Sequence, residues 1–399
     1  MIPPVFRYGG FRLFWFGIAF SAIGTQATAA ANLWQIQDIT DSTLAVGVVS
    51  LLQGIAVVFI GPLGGGLADR WDRRRLLQAA QASSLLSSVL LAALTFTHHI
   101  APLWIYGAGT VVAVAATFDG PARQSLVPAV VPREHVVDAF ALLIPAQQIA
   151  RFAGPAIAGI LIALWGAGAV YTFDVVSYVA LIVTLAFIGF EKMEPRVPQP
   201  LTHAVIEGFQ YVRGRPLIWQ LIALDISATF FAAYRVLLPA LARDVFAVGA
   251  AGYGILSAAP AVGAIFGSGT VYRLRAMRRK GVLVLASTAA YALGAAVLGY
   301  VPAFAVAVGI TAALGFFDAI AQTIRQAAMQ LDTPDRLRGR VTSVYQMASR
   351  GGPALGQAQL GAIAAAIGPA PALAIGGGLC LLYSAWLALT GTTVRRYED

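Results

Sequence analysis

Cysteine is nearly missing from this chain: 399 residues hold a single one, Cys380. One thiol can form neither an intrachain disulfide nor a cysteine metal site. Charge is scarce as well. Charged residues make up 11% of the chain and hydrophobic ones 58%, whereas soluble domains carry about 25% charge. That balance excludes an ordinary soluble protein and identifies a polytopic membrane protein. Histidine is limited to His98, His99, His135 and His203, all in connections between apolar runs. With no histidine in a span, no phosphate-binding glycine loop and no metal-ligand spacing, nothing supports catalysis or ATP-driven work, and neither cofactor nor metal is expected. Long polar connections are also lacking. Only Glu191 to Arg215 is extended, too short for a soluble domain, so a membrane-anchored soluble enzyme is excluded.

What remains is apolar sequence, which divides into about twelve windows of roughly 18 to 25 residues, each long enough to cross a hydrocarbon core as a helix. Six carry no charge: Leu13 to Leu33, Leu44 to Leu67, Leu76 to Thr97, Ala251 to Val271, Val282 to Tyr300 and Ala370 to Thr393. The other six, Ala101 to Val127, Ala139 to Leu164, Ala167 to Phe190, Leu217 to Leu241, Ala303 to Ala328 and Val341 to Ile367, hold isolated charges. The N-terminal run resembles a signal peptide, but another apolar run follows at once, so it reads as the first span. Twelve spans put both termini on one side. Of the 27 Lys and Arg residues, 21 fall in the connections on that side and only Arg243 falls opposite. Both termini are therefore expected in the cytoplasm, in the inner membrane. The net charge of +9 reports topology, and no nucleic-acid partner is expected.

The fourth and fifth windows of each half echo one another. Asp119 and Arg151 are 32 residues apart, as are Asp318 and Arg350, and the Gly154-Pro155 and Gly352-Pro353 steps follow at nearly matching offsets. The expected division is a six-helix half over residues 1–190, a linker with an amphipathic stretch over 191–216, suited to lying on the inner surface, and a second half over 217–399. Transporters use such duplicated halves to expose one central site to each side in turn. The symmetric spacing puts each Asp and Arg at equal depth on adjacent helices, which predicts a buried Asp119–Arg151 and a buried Asp318–Arg350 pair. A lone charge at that depth costs about 2.5 to 3.5 kcal/mol on insertion scales. The bridges either hold hairpins together or rearrange during transport.

The sharpest local pattern is GPLGGGLADRWDRRRLL, Gly61 to Leu77, a tight glycine-rich turn with an Asp-Arg pair and an arginine cluster. Gly65 to Arg75 resembles the signature loop between helices two and three of the major facilitator superfamily, with Asp72 where that family has Gly. Ala150-x-x-x-Gly154-Pro155-x-x-Ala158-Gly159 resembles its antiporter signature on helix five, small residues there allowing close helix packing. Phe118 to Val136, Glu207 to Ile218 and Thr333 to Tyr345 resemble the branch of bacterial enterobactin and macrolide exporters. The resemblance implies an all-α membrane fold of twelve helices in two pseudo-symmetric halves. It also implies a cytoplasmic latch in which Gly65, Asp69, Arg70, Arg73 and Arg74 meet Asp119 and the start of helix eleven at Gly339, Arg340 and Val341. The second-half turn has Tyr272 and no Asp, so a latch belongs to the first turn only.

Cavity residues are sought near the midplane: Gln26 and Asn32 on helix one, Asp225, Thr229 and Tyr234 on helix seven. Candidates for a proton-carrying carboxylate are Asp225, Asp119, Asp318 and Asp174. The expected function is a proton-coupled exporter of a drug-like or siderophore-like molecule. It is expected to be monomeric, with the bilayer, the substrate and protons as its partners. A nutrient importer of the same fold and a non-transporting receptor or scaffold are the alternatives.

Overall fold

The computed structural model describes residues 4–70, 73–188, 201–274 and 279–397, with side chains except at 61–70, 73, 74, 121, 125, 133, 144, 201–206, 350 and 392. Regular structure among them is entirely helical. In chain order the elements are α1 (Gly9–Thr40), α2 (Thr43–Arg70), α3 (Arg73–Phe96), α4 (Pro102–Leu126), α5 (Val136–Trp165), α6 (Ala167–Phe187), α7 (Leu201–Arg213) and α8 (Pro216–Phe231). They continue with α9 (Leu238–Ala240), α10 (Gly249–Arg273), α11 (Lys280–Val297), α12 (Phe304–Asp332), α13 (Asp335–Ile367), α14 (Pro369–Thr390) and α15 (Thr392–Arg395).

Eleven stretches among the described residues are long and apolar enough to cross a membrane. The twelfth window expected from sequence forms α13, a full-length helix that falls outside that set. Gln346, Ser349, Gln357 and Gln359 dilute its hydropathy. Two of them are spent inside the protein: Ser349 donates to Asp225 and Gln357 accepts from Ser50. The window at Leu217 to Leu241 is not one continuous helix. α8 ends at Phe231, a 3-10 turn runs from Tyr234 to Leu237, and the short α9 and a π turn complete the span to Val245. Pro239 accounts for part of this, because its ring excludes the helical bond to the carbonyl four residues back.

The chain forms two compact units: Met1–Asp41 with Ile55–Gln199 and Ala250–Gly254, and Ser42–Gly54 with Pro200–Gly249 and Ile255–Asp399. In the first, α1 packs on α5 and α6, and α3 on α4 and α6. Its core gathers Phe11, Phe14 and Ile18 of α1 with Leu126, Leu143, Leu181 and Leu185. In the second, α8 packs on α13 and α14, and α11 on α12 and α14. Leu221, Leu224, Val284, Ile320, Ile324 and Leu387 form its core. Taken span by span, the two units repeat one packing pattern. Their last turns match too: Gly166 precedes α6 at φ 80° and Gly368 precedes α14 at φ 89°, a conformation that glycine adopts without strain.

The amphipathic α7 is turned onto protein. Val212 packs with Ile218, Ile222, Met329, Val341 and Tyr345, and the Tyr211 hydroxyl donates to the Asp332 carbonyl at 2.9 Å. Val212 and Tyr211 of α7 thus face α8, α12 and α13, while Phe209 of the same helix is exposed.

Close helix contacts are made at small residues. A Cβ on Gly315 of α12 would land on the Pro260 carbonyl of α10, and one on Gly263 of α10 would land on the Ala312 carbonyl of α12. Gly315→Val should therefore lower thermal stability in detergent by about 1–3 kcal/mol, the usual penalty of overpacking. Unchanged melting would show that the two helices have room to separate.

Candidate functional site

The second unit assembles a charged cluster around the interrupted helix. Asp225 of α8 is buried, and its carboxylate takes Arg325 Nη2 of α12 at 2.5 Å and the Ser349 hydroxyl of α13 at 2.6 Å. Arg325 itself is 2% exposed. The sequence named no partner for Asp225, and nothing in the local pattern distinguishes Arg325 from a helix-end arginine. Just beyond the end of α8, the Tyr291 hydroxyl donates to the Ala232 carbonyl at 3.3 Å. Thr229 turns its hydroxyl back to the Asp225 carbonyl of its own helix. Tyr234 is buried in the 3-10 turn. Asp318, midway along α12 and exposed, acts electrostatically on Tyr234, Arg235 and Tyr291. The side chain of Arg350, its expected partner, lies outside the described residues.

Glycines make this break possible. A Cβ on Gly352 would meet the Thr229 hydroxyl, one on Gly356 would meet the Thr229 and Phe230 carbonyls, and one on Gly376 of α14 would meet the Phe231 carbonyl. The end of α8 is therefore sheathed by backbone of α13 and α14. A cavity of about 390 Å³ opens between α12 and α13, lined by Thr323, Gln326, Gln330, Thr342, Tyr345 and Gln346 among others. Amides, hydroxyls, one phenol and the Arg338 guanidinium suit a polar small molecule.

In the first unit, Asp119 of α4 binds Arg123 Nε at 2.7 Å, one turn along its own helix, and Gln81 Nε2 of α3 at 2.5 Å. Arg123 also reaches the Ser21 hydroxyl of α1. The partners of Asp119 among the described residues are thus Arg123 and Gln81, and Arg151, its expected partner, is exposed on α5. Asn32 is buried and accepts from the Tyr171 hydroxyl at 3.0 Å. Gln26 is half-buried, and its Cβ and the Ala27 backbone occupy the space a side chain at Gly154 would need. Pro155 lies inside α5, and Gly159 meets the Gly254 backbone. Asp174 of α6 is fully buried and is held by hydroxyls: Thr28 and Ser88 each at 2.8 Å and Ser177 at 3.2 Å.

Of the expected latch, the side chains of Gly65, Asp69, Arg70, Arg73 and Arg74 lie outside the described residues. Gly339 has open space beside it. Arg340 pairs with Glu207 of α7 in the second unit, a partner the sequence reading did not name.

Removing one member of a buried ion pair strands the other charge, at about 3–5 kcal/mol. Asp225→Asn should destabilise the protein by about that amount, and Arg325→Gln added to it should recover most of the loss. Thermal unfolding of both variants in detergent checks this; a single variant as stable as the parent would show that Arg325 finds another partner.

Three comparisons bear on identity. The chain is 29% identical over 369 residues to the enterobactin exporter EntS of Shigella boydii serotype 18, covering 92% of this chain and 88% of that protein. The same figures hold for EntS of Escherichia coli O157:H7. Among solved structures, the nucleoside transporter NupG superposes with a TM-score of 0.78 at 14% identity, covering 96% of this chain and 99% of that one. A bacterial homologue of the iron transporter ferroportin superposes with 0.72 at 14% identity, over 94% and 98%. These last two share the fold. The transmembrane secretion effector profile matches residues 3–399, and the chain belongs to that family of major facilitator superfamily membrane transporters.

Proposed function

We propose that this transporter is a proton-coupled exporter of a drug-like or siderophore-like small molecule, working by alternating access in the inner membrane with both termini cytoplasmic. The observation that carries the reading is the set of ionisable side chains kept inside an otherwise apolar bundle. Asp174, Asp225 and Arg325 are buried there, and Asp318 is exposed midway along its span. Such groups are expensive at membrane depth and mark substrate or proton paths. The interrupted span at Phe231 supports a binding site nearby, since unwound segments offer backbone groups to substrates and ions. The likeness to enterobactin exporters over 92% of the chain favours outward transport of a polar small molecule. The strong bias of Arg and Lys toward one set of connections favours cytoplasmic termini.

In proteoliposomes holding the purified protein, an imposed pH gradient should drive accumulation of a substrate identified by an efflux screen in cells stripped of their own pumps. Accumulation indifferent to the gradient would remove proton coupling, and gradient-driven movement in the opposite sense would favour an importer. The signature turn supplies a second check. Asp69→Asn should reduce transport at least several-fold while leaving membrane insertion intact, because Arg70, Arg73 and Arg74 still orient the loop. Undiminished transport would reduce that turn to a basic anchor.

A further inference from the structure

Asp174 differs from Asp225 and Asp119 in the company it keeps. Asp225 has Arg325 and Asp119 has Arg123. Around Asp174, the described residues of α1, α3 and α5, which pack against or beside α6, turn no arginine, lysine or histidine to its carboxylate. Thr28 of α1 and Ser88 of α3 share Oδ2, and Ser177 reaches Oδ1. The titratable groups nearest along α6 are Tyr178, one turn on, whose hydroxyl meets Thr25, and Tyr171, which donates to Asn32 and Gln35. Asp119 lies farther off and acts weakly on Tyr178.

Polar side chains flank this cradle along the helices. α1 supplies Ser21, Thr25, Thr28, Asn32 and Gln35 at spacings of three or four residues, so they share one face. α3 answers with Gln81, Ser84, Ser88 and Thr95, and α6 contributes Tyr171, Asp174 and Tyr178. At one end, near the α3 start, Gln81 binds Asp119 and accepts from Ser21. At the other, Gln35 donates to Thr95 at 3.1 Å. Both of these side chains line a cavity of about 510 Å³, together with Asp38, His98, Trp34 and Trp165, in the first unit.

We propose that Asp174 is a proton-binding site of the first unit, cradled by the hydroxyls of Thr28, Ser88 and Ser177. Its use in transport rests on the proton-coupled reading above. The chemistry needs no other ionisable partner. As an anion, Asp174 accepts from Thr28 and Ser88. As an acid, it donates its new hydrogen to one of those hydroxyl oxygens, whose own hydrogen rotates to a backbone carbonyl of its helix. A hydroxyl both donates and accepts, so the cradle fits either state. An arginine fits only the anion. Acids held at this depth without a countercharge mark proton paths.

Infrared difference spectra between alkaline and acidic pH, taken on the intact protein in lipid, read the site directly and need no substrate. They therefore stay informative whether or not transport proves proton-driven. A carboxylic acid carbonyl band should appear on acidification, persist in Asp225→Asn and Asp119→Asn, and be lost in Asp174→Asn. Should Asp174→Asn fail to fold, Ser88→Ala provides the second arm, because removing one hydroxyl from the carboxyl group shifts that band. A spectrum without such a band, a band kept in Asp174→Asn, or a frequency unmoved by Ser88→Ala would overturn the proposal.

Discussion

The price of charge away from water governs this structure more than any single contact. In a hydrocarbon surround a carboxylate or guanidinium persists only if it is paired, hydrogen-bonded or wet. Each buried or mid-span acid of the chain meets that demand in its own way. Asp225 takes an arginine from across the bundle and a serine, Asp119 an arginine from its own helix and a glutamine, and Asp174 three hydroxyls. Asp318 remains exposed midway along α12. The helix arrangement follows from bringing these partners together as much as from apolar packing, which lipid would satisfy almost as well.

The two units repeat an architecture without repeating its chemistry. Helix pairings correspond, and the glycine turns before α6 and α14 have the same left-handed geometry. Yet Arg123 of α4 meets Ser21 of α1, while Arg325 of the corresponding α12 meets Asp225 of the corresponding α8. α6 carries Asp174, whereas α14 has no acid and presents Gly376 and Gly377 to its neighbours. Unequal halves can divide labour: the second holds the interrupted span and a cavity lined by amides, and the first holds an acid among hydroxyls.

Much of the fold was legible in the sequence because hydropathy and glycine placement are local properties. The spans, the repeat and the small residues at Gly154 and Gly159 could be read directly. Partner choice could not. Spacing gave Asp119 and Arg151 a common depth but said nothing of which face each occupies, and Arg123, one turn along the same helix, was nearer. Arg325 was passed over because it lies near the end of its window, where an arginine ordinarily reaches for the interface. The break after Phe231 left a faint trace in Pro239, but the glycines that sheathe it sit on α13 and α14, more than a hundred residues away. The amphipathic stretch at α7 was recognised, while the partners of its Val212, Val341 and Tyr345 among them, are also distant in sequence.

The polar character of α13 bears on how the chain enters the membrane. Ser349 and Gln357 meet Asp225 of α8 and Ser50 of α2, both made earlier in synthesis. Alone in lipid, such a segment would leave its amides without partners and partition poorly. The following α14 is thoroughly apolar and separated from it by one glycine, so the two enter most favourably as a hairpin docking onto helices already in place. Insertion of this hairpin is therefore an assembly step, with α14 carrying its reluctant predecessor into the bilayer.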